Sequence, residues 1–128
     1  MSRTRILLAD DSPDFLEIVK NLLSPVFEIV GEVSDGKAVI EEARRLEPEV
    51  LVLDITMPIV DGIEAAERLK KLGNKSKIVF LTVHNDPDYL RACMAAGASG
   101  YVLKARLVTD LVHSIEESLM GHIFVSPR

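Results

Sequence analysis

Five short apolar runs, at Ile6–Leu8, Phe27–Val33, Val50–Leu53, Ile78–Leu81 and Gly100–Leu103, recur along the chain with helix-length segments between them. Strands that are continuously apolar are covered on both faces, and strands alternating with helices build a parallel sheet. The intervening segments carry helical signals. Phe15, Leu16, Val19, Leu22 and Leu23 repeat at helical spacing behind Ser12 as N-cap and Pro13 at the first helical position. Val108, Leu111, Val112, Ile115 and Leu119 form a comparable stripe that stops near Gly121. Asp35, Asp61 and Asp86 are placed to cap the helices between, with Asp61 and Glu64 spaced as a capping box and Pro87 after Asp86. The segment Asp86 to Ala96 is the least regular of the helices. The expectation is a (βα)₅ layer sandwich, a five-stranded parallel sheet with helices on both faces.

Length and charge bound the function. A chain of 128 residues that is 48% hydrophobic is sized for a single domain over residues 1–128 with one continuous core. A formal net charge of -5 argues against general attraction to nucleic acid or anionic lipid, which recruit basic surfaces. After Arg3 and Arg5 the apolar stretch Ile6–Ala9 is too short for a signal peptide or membrane span, so a cytoplasmic protein is expected. The single cysteine, Cys93, has no partner for an intrachain disulfide, and its apolar neighbours favour a buried filler over a nucleophile.

Ligands of open α/β sheets bind outside the carboxyl ends of the strands. Asp10 and Asp11 follow the first strand, Asp54 closes the third, Thr82 closes the fourth and Lys104 follows the fifth. Taken alone, Asp54 could be a turn former. Three carboxylates gathered at one edge repel each other, however, and need a cation to stay ionised at neutral pH. Mg²⁺ suits such a site because it is held by one or two carboxylates plus phosphate oxygens and keeps several waters. His84, His113 and His122 lack metal-ligand spacing and read as surface or helix-end residues. A lone lysine at a strand end is usually a surface residue, but a compact ammonium beside carboxylates can both relieve their repulsion and hold a phosphoryl oxygen. The Thr82 hydroxyl can donate to the same group.

These residues give the chain a family likeness. Asp10-Asp11, Leu53-Asp54-Ile55-Thr56-Met57-Pro58 with Asp61-Gly62, Thr82, Gly97-Ala98-Ser99-Gly100-Tyr101 and Lys104 stand in the order found in receiver domains of two-component response regulators, which the chain resembles along essentially its whole length. The resemblance implies a flavodoxin-like strand order 2-1-3-4-5. It implies that Asp54 becomes an aspartyl phosphate, that Asp11 and Asp54 ligate Mg²⁺ with the carbonyl of Thr56, and that Asp10 acts mainly through water. Thr82 and Lys104 would bind phosphoryl oxygens, and Tyr101 would be the aromatic partner of Thr82. A sensor histidine kinase would be the donor, its phosphohistidine attacked by the Asp54 carboxylate. The signal would be read on the fourth helix, fifth strand and fifth helix, and a homodimer on phosphorylation is open.

Departures from the family pattern bear on phosphate lifetime. Val83 stands where a small residue is usual and is expected to crowd the phosphoryl site. Thr56 and His84 occupy two positions that tune hydrolysis. Ala105 replaces the common proline after the lysine, and a non-proline cis bond costs about 2.5–4 kcal/mol, so the isomer of the Lys104–Ala105 bond is left open. The stretch Gly97–Lys104 and the tail Gly121–Pro127 resemble receivers that precede a helix-turn-helix DNA-binding domain, so an output domain beyond Arg128 is expected, with a stand-alone receiver as the alternative. DNA contact would then belong to that further domain. Two rivals are a phosphorylation-independent interaction module, which leaves the site residues unexplained, and an aspartate-nucleophile phosphohydrolase. The latter would need an acidic residue two positions after Asp54, where Thr56 stands.

Overall fold

In the computed structural model, which describes residues 3–127, the sheet runs β1 (Arg5–Ala9), β2 (Glu28–Val33), β3 (Val50–Leu53), β4 (Lys77–Thr82), β5 (Gly100–Leu103) and β6 (Phe124–Val125). Helices α1 (Pro13–Leu23), α2 (Gly36–Leu46), α3 (Gly62–Lys71), α4 (Pro87–Ala95) and α5 (Leu107–Leu119) connect them. The strand order is β2-β1-β3-β4-β5-β6 and every pairing is parallel. The doubly wound order is as expected, but the sheet has six strands rather than five. Strand β6 is too short and too mixed for periodicity to reveal; it forms because the tail after Gly121 pairs Phe124 with Gly100 and Val125 with Tyr101.

The pleat sorts the core into two layers. Leu7, Ala9, Leu51, Leu53, Ile78, Phe80, Tyr101 and Leu103 face α2, α3 and α4. Ile6, Leu8, Val50, Val52, Val79, Leu81 and Val102 face α1 and α5. Truncating a fully buried member such as Leu51 or Phe80 to alanine would cost about 2–5 kcal/mol. The caps fall where the sequence puts them: Ser12 Oγ accepts from the Phe15 amide at 3.2 Å, Asp35 from Ala38 at 2.8 Å and Asp61 from Glu64 at 2.8 Å. The Asp61–Glu64 box is half made, because the Glu64 carboxylate pairs with Arg68. Helix α4 buries only Cys93 among its residues, which explains its weak periodicity. Burial, then the nearby Asp61 charge, pushes the Cys93 thiol up to about 12, consistent with an inert filler.

Helix α5 departs from the expected stripe. Val108 is 78% exposed and Leu119 is 39% exposed. The buried positions are Leu107, Asp110, Leu111, Ser114, Ile115 and Ser118, a face half made of polar residues. Asp110 finds Arg106 and Ser126, Ser118 Oγ donates to the Ile115 carbonyl at 2.7 Å, and Ser114 sits over Gly100. A Cβ there would collide with Ser114 Oγ, so the glycine lets the helix settle directly on β5.

Candidate functional site

The strand register brings the site together. Ala9 pairs with Leu53, and the Asp54 amide donates to the Ala9 carbonyl at 3.0 Å, so Asp10 and Asp54 leave the sheet side by side. Leu53 pairs with Phe80 and Thr82 with Leu103, which puts Thr82 and Lys104 at the same edge. Gly62 closes the loop after Asp54: its amide donates to the Ile55 carbonyl at 2.7 Å, and a Cβ would strike the Asp54 carbonyl oxygen.

Asp10 and Asp54 are buried and Asp11 is exposed. One carboxylate oxygen from each lies within 4.8 Å of the others. Asp10 Oδ1 accepts from the Ser12 amide at 2.9 Å, and its Oδ2 accepts from Lys104 Nζ at 2.8 Å. Lys104 Nζ also lies 3.6 Å from Asp54 Oδ2 and 4.2 Å from the centroid of the Phe15 ring, a cation–π contact that helps fix the ammonium. Burial pushes Asp54 up to about 6, helped by the Asp10 and Asp11 charges and opposed by Lys104 and the Ile55 amide. A carboxyl so raised near two others favours a cation in its ionised form. The donor set, three oxygen ligands with one exposed to solvent, fits a hard divalent ion such as Mg²⁺.

Thr82 is fully buried, and its Oγ1 accepts from the His84 amide at 3.0 Å, leaving the hydroxyl proton for another acceptor. Tyr101 is fully buried as well, and its hydroxyl donates to the His84 carbonyl at 2.6 Å. His84 therefore touches both through its backbone, while its ring Nε2 lies 3.1 Å from Thr56 Oγ1 and the ring stacks on Tyr89 of α4 with centroids 4.0 Å apart. The structure thus gathers Asp10, Asp11, Asp54, Thr56, Thr82, His84, Tyr101 and Lys104 at one edge. Val83 is 71% exposed and lines a cleft of about 220 Å³ with Thr82, Leu103 and Lys104. A larger cavity of about 420 Å³, lined by Glu47, Glu49 and Gly73–Ser76, lies toward the opposite ends of the strands. The Lys104–Ala105 bond is trans.

Sequence reasoning missed Phe15 and Tyr89, whose roles depend on pairwise packing. It also missed Arg106, Asp110 and Ser126. Arg106 Nε donates to Asp110 Oδ2 at 2.8 Å, and Ser126 Oγ donates to the same oxygen at 2.7 Å while accepting from the Leu103 amide at 3.1 Å.

Comparison with known proteins agrees with this geometry. The family described as "Response regulator receiver domain" matches residues 6–116. The transcriptional regulatory protein DegU of Brevibacillus brevis is 32% identical over 99% of this chain and 55% of its own length. A two-component response regulator of the LuxR family from an Aurantimonas species superposes with a TM-score of 0.93 and 33% identity, over 98% of this chain and 91% of that one. A structure of two RcsB dimers bound to two parallel DNAs matches with a TM-score of 0.89 and 29% identity, over 98% of this chain and 64% of that one. The chain spans little more than half the length of DegU. From residue 6 to residue 116, it belongs to the receiver domains of two-component response regulators.

Proposed function

We propose that Asp54 accepts a phosphoryl group from the phosphohistidine of a sensor histidine kinase. The observation that carries this reading is the cluster of three carboxylates within 4.8 Å, with Lys104 Nζ between Asp10 and Asp54. Asp54 attacks phosphorus, a P–O bond forms as the P–N bond breaks, and the imidazole departs with a proton. Asp11, Asp54 and the Thr56 carbonyl would hold Mg²⁺, with Asp10 beside them. When bound, the ion neutralises charge on the transferred oxygens. Lys104 moves from Asp10 toward a phosphoryl oxygen, and the Thr82 hydroxyl donates to another. The phosphoryl group adds about -1.5 to -2 charge units, enough to bias the loop that joins Thr82, His84 and Tyr101. Thr56, Val83 and His84 border the site and set the lifetime of the phosphate.

The changed surface comprises α4, β5 and α5. Likeness to DegU and RcsB supports a DNA-binding output domain beyond Arg128, a homodimer on phosphorylation and a role in transcription regulation in the cytoplasm. The chain is a signalling phosphoacceptor rather than a turnover enzyme. Incubation with Mg²⁺ and a panel of phosphate monoesters separates the two: at most one slow cycle of phosphate release is expected, and sustained release over many turnovers would establish a phosphohydrolase.

A further inference from the structure

Lys104 shares a single 3-10 turn, Lys104–Arg106, with a residue that faces away from the carboxylate cluster. At one end of this turn the Lys104 ammonium reaches Asp10 and Asp54. At the other, Arg106 Nε grips Asp110 Oδ2, and Thr109 Oγ1 donates to the Arg106 carbonyl at 3.2 Å. Asp110 is buried in the first part of α5, and the second partner of its Oδ2 is Ser126, from the tail. Ser126 is itself 2% exposed, and its backbone amide donates to the Tyr101 carbonyl at 2.8 Å. Its hydroxyl also accepts from Leu103, the residue immediately before Lys104. The tail is further fastened by the His113–Phe124 edge contact at 5.1 Å and by His122 Nδ1 at 2.6 Å from Glu117.

We infer that Ser126, Asp110 and Arg106 are positioning residues for Lys104, and that docking of the C-terminal tail and loading of the Asp54 site favour each other. This rests on the reading of Asp54 as phosphoacceptor. The turn is held on both sides: Leu103 by Ser126, Arg106 by Asp110. With the tail docked, the lysine backbone is fixed and only its side chain swings between Asp10 and a phosphoryl oxygen. With the tail undocked, the turn loses its Leu103 anchor and Asp110 loses the Ser126 bond that steadies it for Arg106, so ordering Lys104 at the site costs more conformational entropy. Linkage makes the effect reciprocal, so a phosphoryl group that holds Lys104 also holds strand β6. The chain leaving Ser126 thereby carries the state of the site to whatever follows it.

The test uses Mg²⁺ with beryllofluoride as the probe. Ser126→Ala is expected to weaken beryllofluoride binding by roughly fivefold or more at a temperature where the variant is fully folded, and Ser126→Thr to restore most of it. In the wild type, hydrogen exchange at the Leu103 and Ser126 amides is expected to slow severalfold on adding the probe. Unchanged affinity in Ser126→Ala, or unchanged exchange at both amides while the wild type binds the probe, would overturn the coupling. The exchange measurement stands even if the variant does not fold. Failure of the wild type to bind beryllofluoride at all would instead overturn the reading of Asp54.

Discussion

Lys104 Nζ stands 2.8 Å from Asp10 and 3.6 Å from Asp54, so in the unmodified protein the ammonium is committed to the neighbour of the proposed acceptor. Its charge still lowers Asp54, against burial and the other two carboxylates. Replacing Lys104 with methionine is therefore expected to raise the Asp54 value above about 6 in metal-free buffer, read by carboxyl carbon NMR. The same variant should lose retention of a phosphoryl group more than it loses Mg²⁺ binding. No change in the titration would mean that the lysine is not coupled to Asp54.

Asp54 costs stability. Its folded value is raised from 3.8 to about 6, so between those values the folded protein holds more protons than the unfolded chain, and stability falls as pH rises through that window. Asp54→Asn is accordingly expected to raise the midpoint of thermal unfolding at neutral pH without metal, by a free energy of about 1–3 kcal/mol. Mg²⁺ should stabilise the wild type and leave Asp54→Asn nearly unaffected. Calorimetry with and without the ion checks both statements.

Asp110 behaves in the opposite sense. Burial would raise it, but hydrogen bonds from Arg106, Ser126 and Thr109 and the Arg106 charge bring it below the ordinary carboxylate value. A depressed folded value gives stability that is present above the ordinary range and lost as pH falls through the folded value. Asp110→Ala should cost about 1–3 kcal/mol at neutral pH by removing the ion pair with Arg106 and leaving the buried Ser126 hydroxyl without its acceptor, and the deficit should shrink in acid. Urea unfolding at two pH values measures this, and a pH-independent deficit would contradict it.

Gly62 touches the site through its backbone. Because a Cβ would meet the Asp54 carbonyl oxygen, Gly62→Ala forces the start of α3 away from β3. The expected cost is about 1–3 kcal/mol, together with slower phosphorylation, whereas Gly73→Ala, strained only locally by its φ of +76° and with nothing near its Cβ, should leave phosphorylation unchanged. Equal phosphorylation rates for the two variants would remove the role given to this contact.

The sequence was most legible where one pattern governs one element. The apolar runs place β1 to β5, and Ser12, Asp35, Asp61 and Asp86 mark the starts of four helices. Polar strand ends likewise locate Asp10, Asp54, Thr82 and Lys104 at one edge. Strand β6 was hidden because its pairing depends on a tail folding back onto β5, and two residues carry no periodicity. The face of α5 was misjudged at Val108 and Leu119, since Asp110 is buried against Arg106 and Ser126, Ser114 against Gly100, and Ser118 Oγ bonds back to the Ile115 carbonyl, contacts that no hydropathy pattern encodes.

The central claim is that one carboxylate, Asp54, takes the phosphoryl group with the help of the ion beside it. Intact-mass measurement of wild type and Asp54→Asn, each incubated with a small acyl phosphate in the presence and absence of Mg²⁺, tests it most directly. A mass gain of one phosphoryl group, labile to hydroxylamine, is expected for the wild type with Mg²⁺ and for none of the other samples. Equal gain in Asp54→Asn, or a gain independent of Mg²⁺, would contradict it.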